Sequence, residues 1–263
     1  MTDHPVPFIV DSRLARALHF NHDSTQSRMR LDDPDALDLA YTRMMMAFLL
    51  FVPQPRRISL IGLGGGSLVK YLYRYLPGAA LQVAEINPHV IALRHEFQVP
   101  ADDARLQVHQ ADGCRFVREP EAACEVLMLD GFGPAGMPEA LGSQRFFDDA
   151  MMALAPGGVM VLNLHLGDPQ LDLMMGRLAR SFEGEQALLV VDEEDGANRV
   201  VFAWRDGDFS RYRPGLLGAA GQGLGEDFKP VLRALAHAAH VSQARARPRA
   251  GAGTPASRRE AAV

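Results

Sequence analysis

Three acidic side chains close apolar, strand-like runs at intervals that would bring them to one edge of a sheet: Glu85 after L-Q-V-A, Asp112 after V-H-Q-A and Asp130 after V-L-M-L. Ahead of them lies a glycine turn, G-L-G-G-G, with Gly62, Gly64 and Gly66, between the apolar run 58–61 and a helical pattern carried by Leu68, Val69, Leu72 and Leu76. Glycines suit such a strand-turn-helix because the backbone there takes conformations closed to residues with a Cβ and lets a ligand approach the main chain. Ser67 stands where G-x-G-x-x-G has its third glycine, so the turn alone also reads as a plain connector. Glu85 follows about twenty residues on, the interval at which a carboxylate accepts hydrogen bonds from both ribose hydroxyls. Asp112, in A-D-G with Gly113, is placed to meet an adenine amino group, and Asp130 points to where a reacting group would sit. Each acid also has a structural reading, Glu85 and Asp112 as helix caps and Asp130 before Gly131 as a turn aspartate. It is their succession behind a glycine turn that points to a ligand site.

The elements that must position these residues alternate. Strands are expected at 58–61, 81–86, 105–110, 124–129 and 157–164, with helices from Ser67, over 88–97, from a Ser143 cap through 154, and over 168–182. That order predicts an α/β fold with a doubly wound, mostly parallel, seven-stranded sheet. Its last two strands, 187–191 and 199–204, flank E-E-D-G-A-N and should form an antiparallel hairpin at the sheet edge. Ahead of the sheet, 8–31 reads as a small hairpin or meander and 35–51 as a helix stopped by Pro53 and Pro55. The expected divisions are an N-terminal region 1–55, a nucleoside-binding domain 56–206, a helical extension 207–240 with its helix over 226–240, and a disordered tail 241–263.

Composition narrows the partners. With 48% apolar and 22% charged residues the chain is of ordinary globular type. The net charge of −5 hides an asymmetry, because five arginines against Glu260 in the last segment leave the rest at −9. An acidic body does not suit nucleic acid and does suit a cationic small molecule. Cys114 and Cys124 lack metal-ligand spacing, so no metal is expected, and they read as reduced residues of a cytoplasmic protein. The N-terminal sequence has no basic stretch leading into a long apolar one, and the apolar run 44–52 is too short to cross a bilayer, so no membrane partner is expected.

The segments G-L-G-G-G, V-A-E-I-N-P-H-V-I, Q-A-D-G-C-R-F, L-M-L-D-G-F and L-A-P-G-G-V-M-V-L-N resemble a class I methyltransferase-type fold, and within it the spermidine synthase (polyamine aminopropyltransferase) family. From Asp130 onwards the chain keeps ungapped register with that family's D-S-S-D-P…G-P-A-E-x-L-F…Y-Y segment, through Pro134, Glu139, Leu141 and the Phe146-Phe147 pair. The likeness spans about residues 8–205, with Gln26 near the family's Q-x-T and Tyr41 near its D-E-x-x-Y-H-E. It implies an aminopropyl donor, decarboxylated S-adenosylmethionine, held by Gly62, Gly64, Gly66, Glu85, Asp112, Gly113 and Gln26. It implies an amine acceptor beside Tyr41, Phe132 and Phe146, with Asp130 as the catalytic base, and a homodimer formed through the N-terminal region.

Four positions depart from the pattern. Gly65 and Gly133 stand where the family has Asp, and Thr42 and Arg43 follow the tyrosine where it has His and Glu. Lost acids remove anchors for a diamine, and Arg43 is expected to repel one or to pair with the carboxylate of ordinary S-adenosylmethionine. Three readings follow: an aminopropyltransferase with an altered acceptor site, an S-adenosylmethionine-dependent methyltransferase of a small molecule, and a non-catalytic nucleoside-binding protein.

Overall fold

The computed structural model describes residues 4–21, 25–133, 136–194, 196–212, 224 and 228–246. Strands β1 (Phe8–Asp11), β2 (Ala15–His19) and β3 (Thr25–Arg30) form an antiparallel meander. Strands β4 (Arg57–Ile61), β5 (Ala80–Glu85), β6 (Leu106–Gln110), β7 (Cys124–Leu129), β8 (Leu154–His165), β9 (Leu188–Asp192) and β10 (Asn198–Trp204) form a second sheet in the order β6-β5-β4-β7-β8-β10-β9. The first five of these are parallel, whereas β10 runs antiparallel to both β8 and β9. The fold is the expected doubly wound α/β class with its terminal hairpin.

Parallel strands covered on both faces need apolar residues on both sides, and β4 and β7 supply them with Ile58, Leu60, Val126, Leu127, Met128 and Leu129 at most 1% exposed, while buried Ser59 of β4 donates Oγ to Ala122 O at 3.0 Å. One core, against helix α2 (Ser67–Tyr75), takes Leu68, Val69 and Leu72, and the other, against α5 (Gln144–Ala153) and α6 (Leu171–Ser181), takes Phe146, Phe147, Ala150, Met174 and Leu178. Each buried Leu, Met or Phe contributes about 1.5–3 kcal/mol, which is what holds the helices to the sheet. Ser143 caps α5 as expected, its Oγ accepting from Phe146 N at 3.2 Å.

The boundaries differ where apolar content hid the period. The expected helix 35–51 is one short α-helix, α1 (Ala40–Met45), continued by a 3₁₀ turn at Met46–Leu50. Met44 to Leu50 are all buried, so no polar face marks a period. After β5, α3 (Pro88–Ala92) stops five residues short of 97, and the chain turns through Gln98 at a φ of 56°. Between β6 and β7 lies α4 (Gly113–Phe116). The last helix, α7 (Lys229–Ala246), runs past 240 because V-S-Q-A-R-A still favours helix, so residues 241–246 of the expected tail are helical, and 247–263 lie outside the described residues. Among the described residues no helix is long and apolar enough to cross a membrane.

One polar group is held deep in the first core. Lys70, 1% exposed on α2, donates from Nζ to Phe97 O at 2.8 Å, and desolvation pulls its pKa from 10.5 down to about 8. That bond fixes the segment that packs on the glycine turn, where a β-carbon at Gly65 would lie 2.9 Å from Phe97 Cδ1 and one at Gly66 2.2 Å from Val99 Cγ2.

Candidate active site

The strand order reverses between β4 and its two neighbours, and the loops beyond the carboxyl ends diverge there. A cavity of about 810 Å³ fills the gap, roofed from the N-terminal side by His4, Pro5, Phe20, Gln26 and Tyr41. Pro5 is held over it by Asn87, whose Nδ2 donates to Pro5 O at 2.8 Å while its Oδ1 caps α3 through His89 N.

At one end of the cavity Glu85 ties the end of β5 to the glycine turn. Its Oε2 accepts from Leu63 N at 2.9 Å and its Oε1 from Asn87 N at 2.8 Å. Each carboxylate oxygen offers two lone pairs, so one on each remains for a diol. Asp112 also lines the cavity and caps α4, Oδ1 accepting from Arg115 N at 3.0 Å. The capping reading of Asp112 is therefore correct, and it coexists with the residue's place in the cavity wall. Gly113 lies alongside, and a β-carbon there would meet Ile61 Cγ2 at 2.6 Å. Gly62 and Gly64 line the cavity with φ of 97° and 52°, in the region that disfavours other residues. Gly66 does not line it: at φ 68° it starts α2 and makes room for Val99, so its requirement for glycine comes from packing.

At the centre sits Asp130, partly buried. Tyr41 donates its hydroxyl to Oδ2 at 3.1 Å and Asn163 donates Nδ2 to Oδ1 at 2.9 Å. Parallel pairing of Leu129 with Leu162 sets Asp130 and Asn163 side by side as the next residues of β7 and β8. Burial raises the Asp130 pKa above the usual 3.8, against the lowering effect of the two hydrogen bonds. Burial, then the Asp130 charge, the bond to it and the charge of Glu193, hold the Tyr41 phenol well above 10, so Tyr41 stays a donor. The arrangement is a carboxylate of raised basicity, fixed on both oxygens, and it can take a proton from a group brought to it.

Two expected contacts are absent. Phe146 is 2% exposed, packed 5.6 Å from Phe147 in the second core and away from the cavity, because the inner face of α5 must cover β7 and β8. Phe132, by contrast, does line the cavity. Arg43 does not line it either: its Nη1 donates to Leu37 O at 2.7 Å and Asp38 O at 2.9 Å, which turns the guanidinium back on its own approach segment. The expected repulsion of a diamine and pairing with a donor carboxylate are thus both removed. Arg43→Ala is expected to leave the KM for an amine acceptor within about twofold while lowering stability by about 1–3 kcal/mol, read by steady-state kinetics and urea unfolding.

The vacated acids differ from each other. A β-carbon at Gly65 would sit 2.7 Å from Ser27 Oγ, so this chain has closed the space an acid there would need. At Gly133 the nearest atom would be Gly136 O at 3.8 Å, and the space is open. Pro134 lies outside the described residues. Sequence reasoning missed Asn163 and His165 at the end of β8, and Glu193 and Asn198 at the hairpin, all of which line the cavity. Asn163 had a usable signal, a polar residue ending the apolar run V-M-V-L, by the same rule that selected Asp130. Among the described residues no group of three or more His, Cys, Asp and Glu is placed to hold a metal ion.

A doubly wound sheet with a glycine turn after its first parallel strand, cavity-lining acids at the next strand ends and an antiparallel closing hairpin defines a methyltransferase-like α/β fold. Residues 38–176 match the spermine/spermidine synthase domain. The chain is 40% identical over 191 residues, 72% of each chain, to a polyamine aminopropyltransferase of Chromobacterium violaceum, and 36% identical over 192 residues, again 72% of each, to one of Neisseria meningitidis. Among solved structures, a probable spermidine synthase from Corynebacterium glutamicum superposes with a TM-score of 0.67 at 19% identity, covering 84% of this chain and 83% of its own. The chain belongs to the spermine/spermidine synthase family, and it is a transferase of the aminopropyltransferase kind.

Proposed function

We propose that this chain moves an aminopropyl group from decarboxylated S-adenosylmethionine to a small amine, with Asp130 as the base. The observation that carries the reading is one continuous cavity with Glu85 and the glycine turn at one end and Asp130, held by Tyr41 and Asn163, further along it. An alkylammonium is protonated near neutral pH, so its nitrogen has no lone pair until a proton leaves. Asp130 takes that proton. The freed nitrogen forms a bond to the carbon beside the sulfonium, the carbon–sulfur bond breaks, and its electron pair stays on sulfur as neutral methylthioadenosine departs. In this reading Glu85 accepts from the ribose hydroxyls, Asp112 and Gly113 face the base, Gly62 and Gly64 let the sulfonium chain pass close to the backbone, and Gln26, Tyr41 and Phe132 wall the reaction from water. No cofactor beyond the donor enters the step.

The methyltransferase reading drew on the missing acids at Gly65 and Gly133 and on Arg43 meeting a carboxylate, and the bonds of that guanidinium to Leu37 O and Asp38 O take away the second of these supports. Incubation of the purified protein with decarboxylated S-adenosylmethionine and a panel of diamines should release methylthioadenosine. Release with none of them, or tighter calorimetric binding of the carboxylated donor, would overturn the reading. We further propose that the protein works in the cytoplasm, where its two free cysteines stay reduced, and that it does not engage nucleic acid, given its acidic body. Exposed Val10 and Leu14 on the meander support a homodimer through that sheet, which sedimentation would test.

A further inference from the structure

Beyond Asp130, in the order of the strands, the cavity wall continues through Asn163 and His165 to Glu193 and Asn198 at the hairpin between β9 and β10. The Glu193 backbone N donates to Asn198 O at 2.9 Å, and its Oε2 accepts from Asn198 Nδ2 at 3.0 Å. Among the described residues no Lys, Arg or His pairs with it, although its neighbour Glu194 pairs with Arg233 at 2.7 Å. The side chain lies back over the turn, where a β-carbon on Gly196 would be 2.0 Å from Oε2, so a glycine at 196 is what permits the pose. Its charge reaches Tyr41, the residue that holds Asp130. A second group points the same way. Asn163, 3% exposed and lining the same cavity, gives Nδ2 to Asp130, and its Oδ1 is left without a donor. An ionised Asp130 accepts only, so it fixes the amide with Oδ1 turned away.

An orphaned buried amide oxygen is unfavourable unless a ligand brings an N–H donor, and a half-buried carboxylate beside it with no cation partner is free to take that ligand's positive charge. The family's acid at 133 is missing here, and a glycine stands in its place. We infer that Glu193 seats the second, still protonated nitrogen of the acceptor and so sets a preference for diamines over monoamines, while Asn163 Oδ1 accepts from the nitrogen at Asp130. The inference rests on the aminopropyl-transfer reading above, and makes Glu193 a specificity residue contributed by the edge hairpin.

The test compares 1,4-diaminobutane, 1,5-diaminopentane and 1-aminobutane as acceptors for the wild type, Glu193→Gln and Glu193→Asp. Glu193→Gln keeps the Asn198 bond and should raise the diamine KM about tenfold or more, leave kcat within about twofold and leave the 1-aminobutane KM unchanged. Glu193→Asp, one methylene shorter, should move the optimum towards the longer diamine, a shift that a merely structural role would not produce. Unchanged methylthioadenosine affinity in both variants establishes that they fold. Equal losses for diamine and monoamine, or none, would overturn the inference while leaving the transfer reading intact. If the wild type transfers to no amine, the transfer reading itself fails and the inference falls with it. Calorimetric titration of 1,4-diaminobutane into methylthioadenosine-saturated protein reads the same site without turnover, and equal affinity in wild type and Glu193→Gln would also overturn the inference.

Discussion

Asp130→Asn should abolish most turnover and make the protein more stable. Loss of the base is expected to lower kcat by about 10²–10⁴-fold, with methylthioadenosine binding retained because Glu85 and the glycine turn are untouched. The stability gain follows from the sign of the pKa shift. Burial raises the folded-state value above the usual 3.8, so between those values the native state binds more protons than the unfolded chain. Stability contributed by this group is then highest at low pH and declines as pH rises through that window, because the anion is buried in the native state and hydrated in the unfolded one. Asparagine is neutral throughout and still accepts from Tyr41, and a rotated Asn163 amide satisfies its N–H. The melting temperature of Asp130→Asn should therefore exceed that of the wild type near neutral pH, and the difference should shrink as pH falls through that window and level off below about 4. Equal melting temperatures at pH 7 would mean that Asp130 is not held as a buried anion.

Gly62→Ala should do the opposite, costing both stability and ligand. At φ 97° an alanine is strained, and its β-carbon would lie 2.2 Å from Asp130 O, a main-chain atom that cannot swing aside. A cost of about 3–5 kcal/mol is expected, with methylthioadenosine binding lost, since relief of the clash moves the catalytic loop away from the turn. Gly78→Ala serves as the control. Nothing lies within 4 Å of a β-carbon there, and it should change stability by about 0.5 kcal/mol or less. Urea unfolding and calorimetry of the two variants side by side would check both statements, and equal stabilities would contradict the close approach of Gly62 to Asp130.

What could be read in advance follows from how each residue is constrained. The parallel strands were legible because both their faces are buried, which leaves runs such as Val126 to Leu129 without polar interruption. Glu85, Asp112 and Asp130 were legible because a strand end is the one place where such a run meets a ligand. Phe146 was misplaced because sequence register locates a residue along a helix and not which face it shows. Arg43 was misplaced for a related reason: a charge suggests repulsion or pairing, whereas the nearby carbonyls of Leu37 and Asp38 were within its reach. Glu193 went unread because E-E-D-G-A-N is accounted for as a turn, and nothing in that string separates an acid facing solvent from one facing a cavity.

The placement of Glu193 on an edge hairpin has an evolutionary corollary. The five parallel strands that carry Gly62, Glu85, Asp112 and Asp130 are locked to one another, so drift in their length would disturb that whole cavity wall at once. The hairpin borders only β8 along one flank, and its apex can gain, lose or exchange residues without resetting that inner array. Divergence among descendants of this gene should accordingly concentrate at the apex, retuning which amine is chosen while the sulfonium chemistry is inherited unchanged.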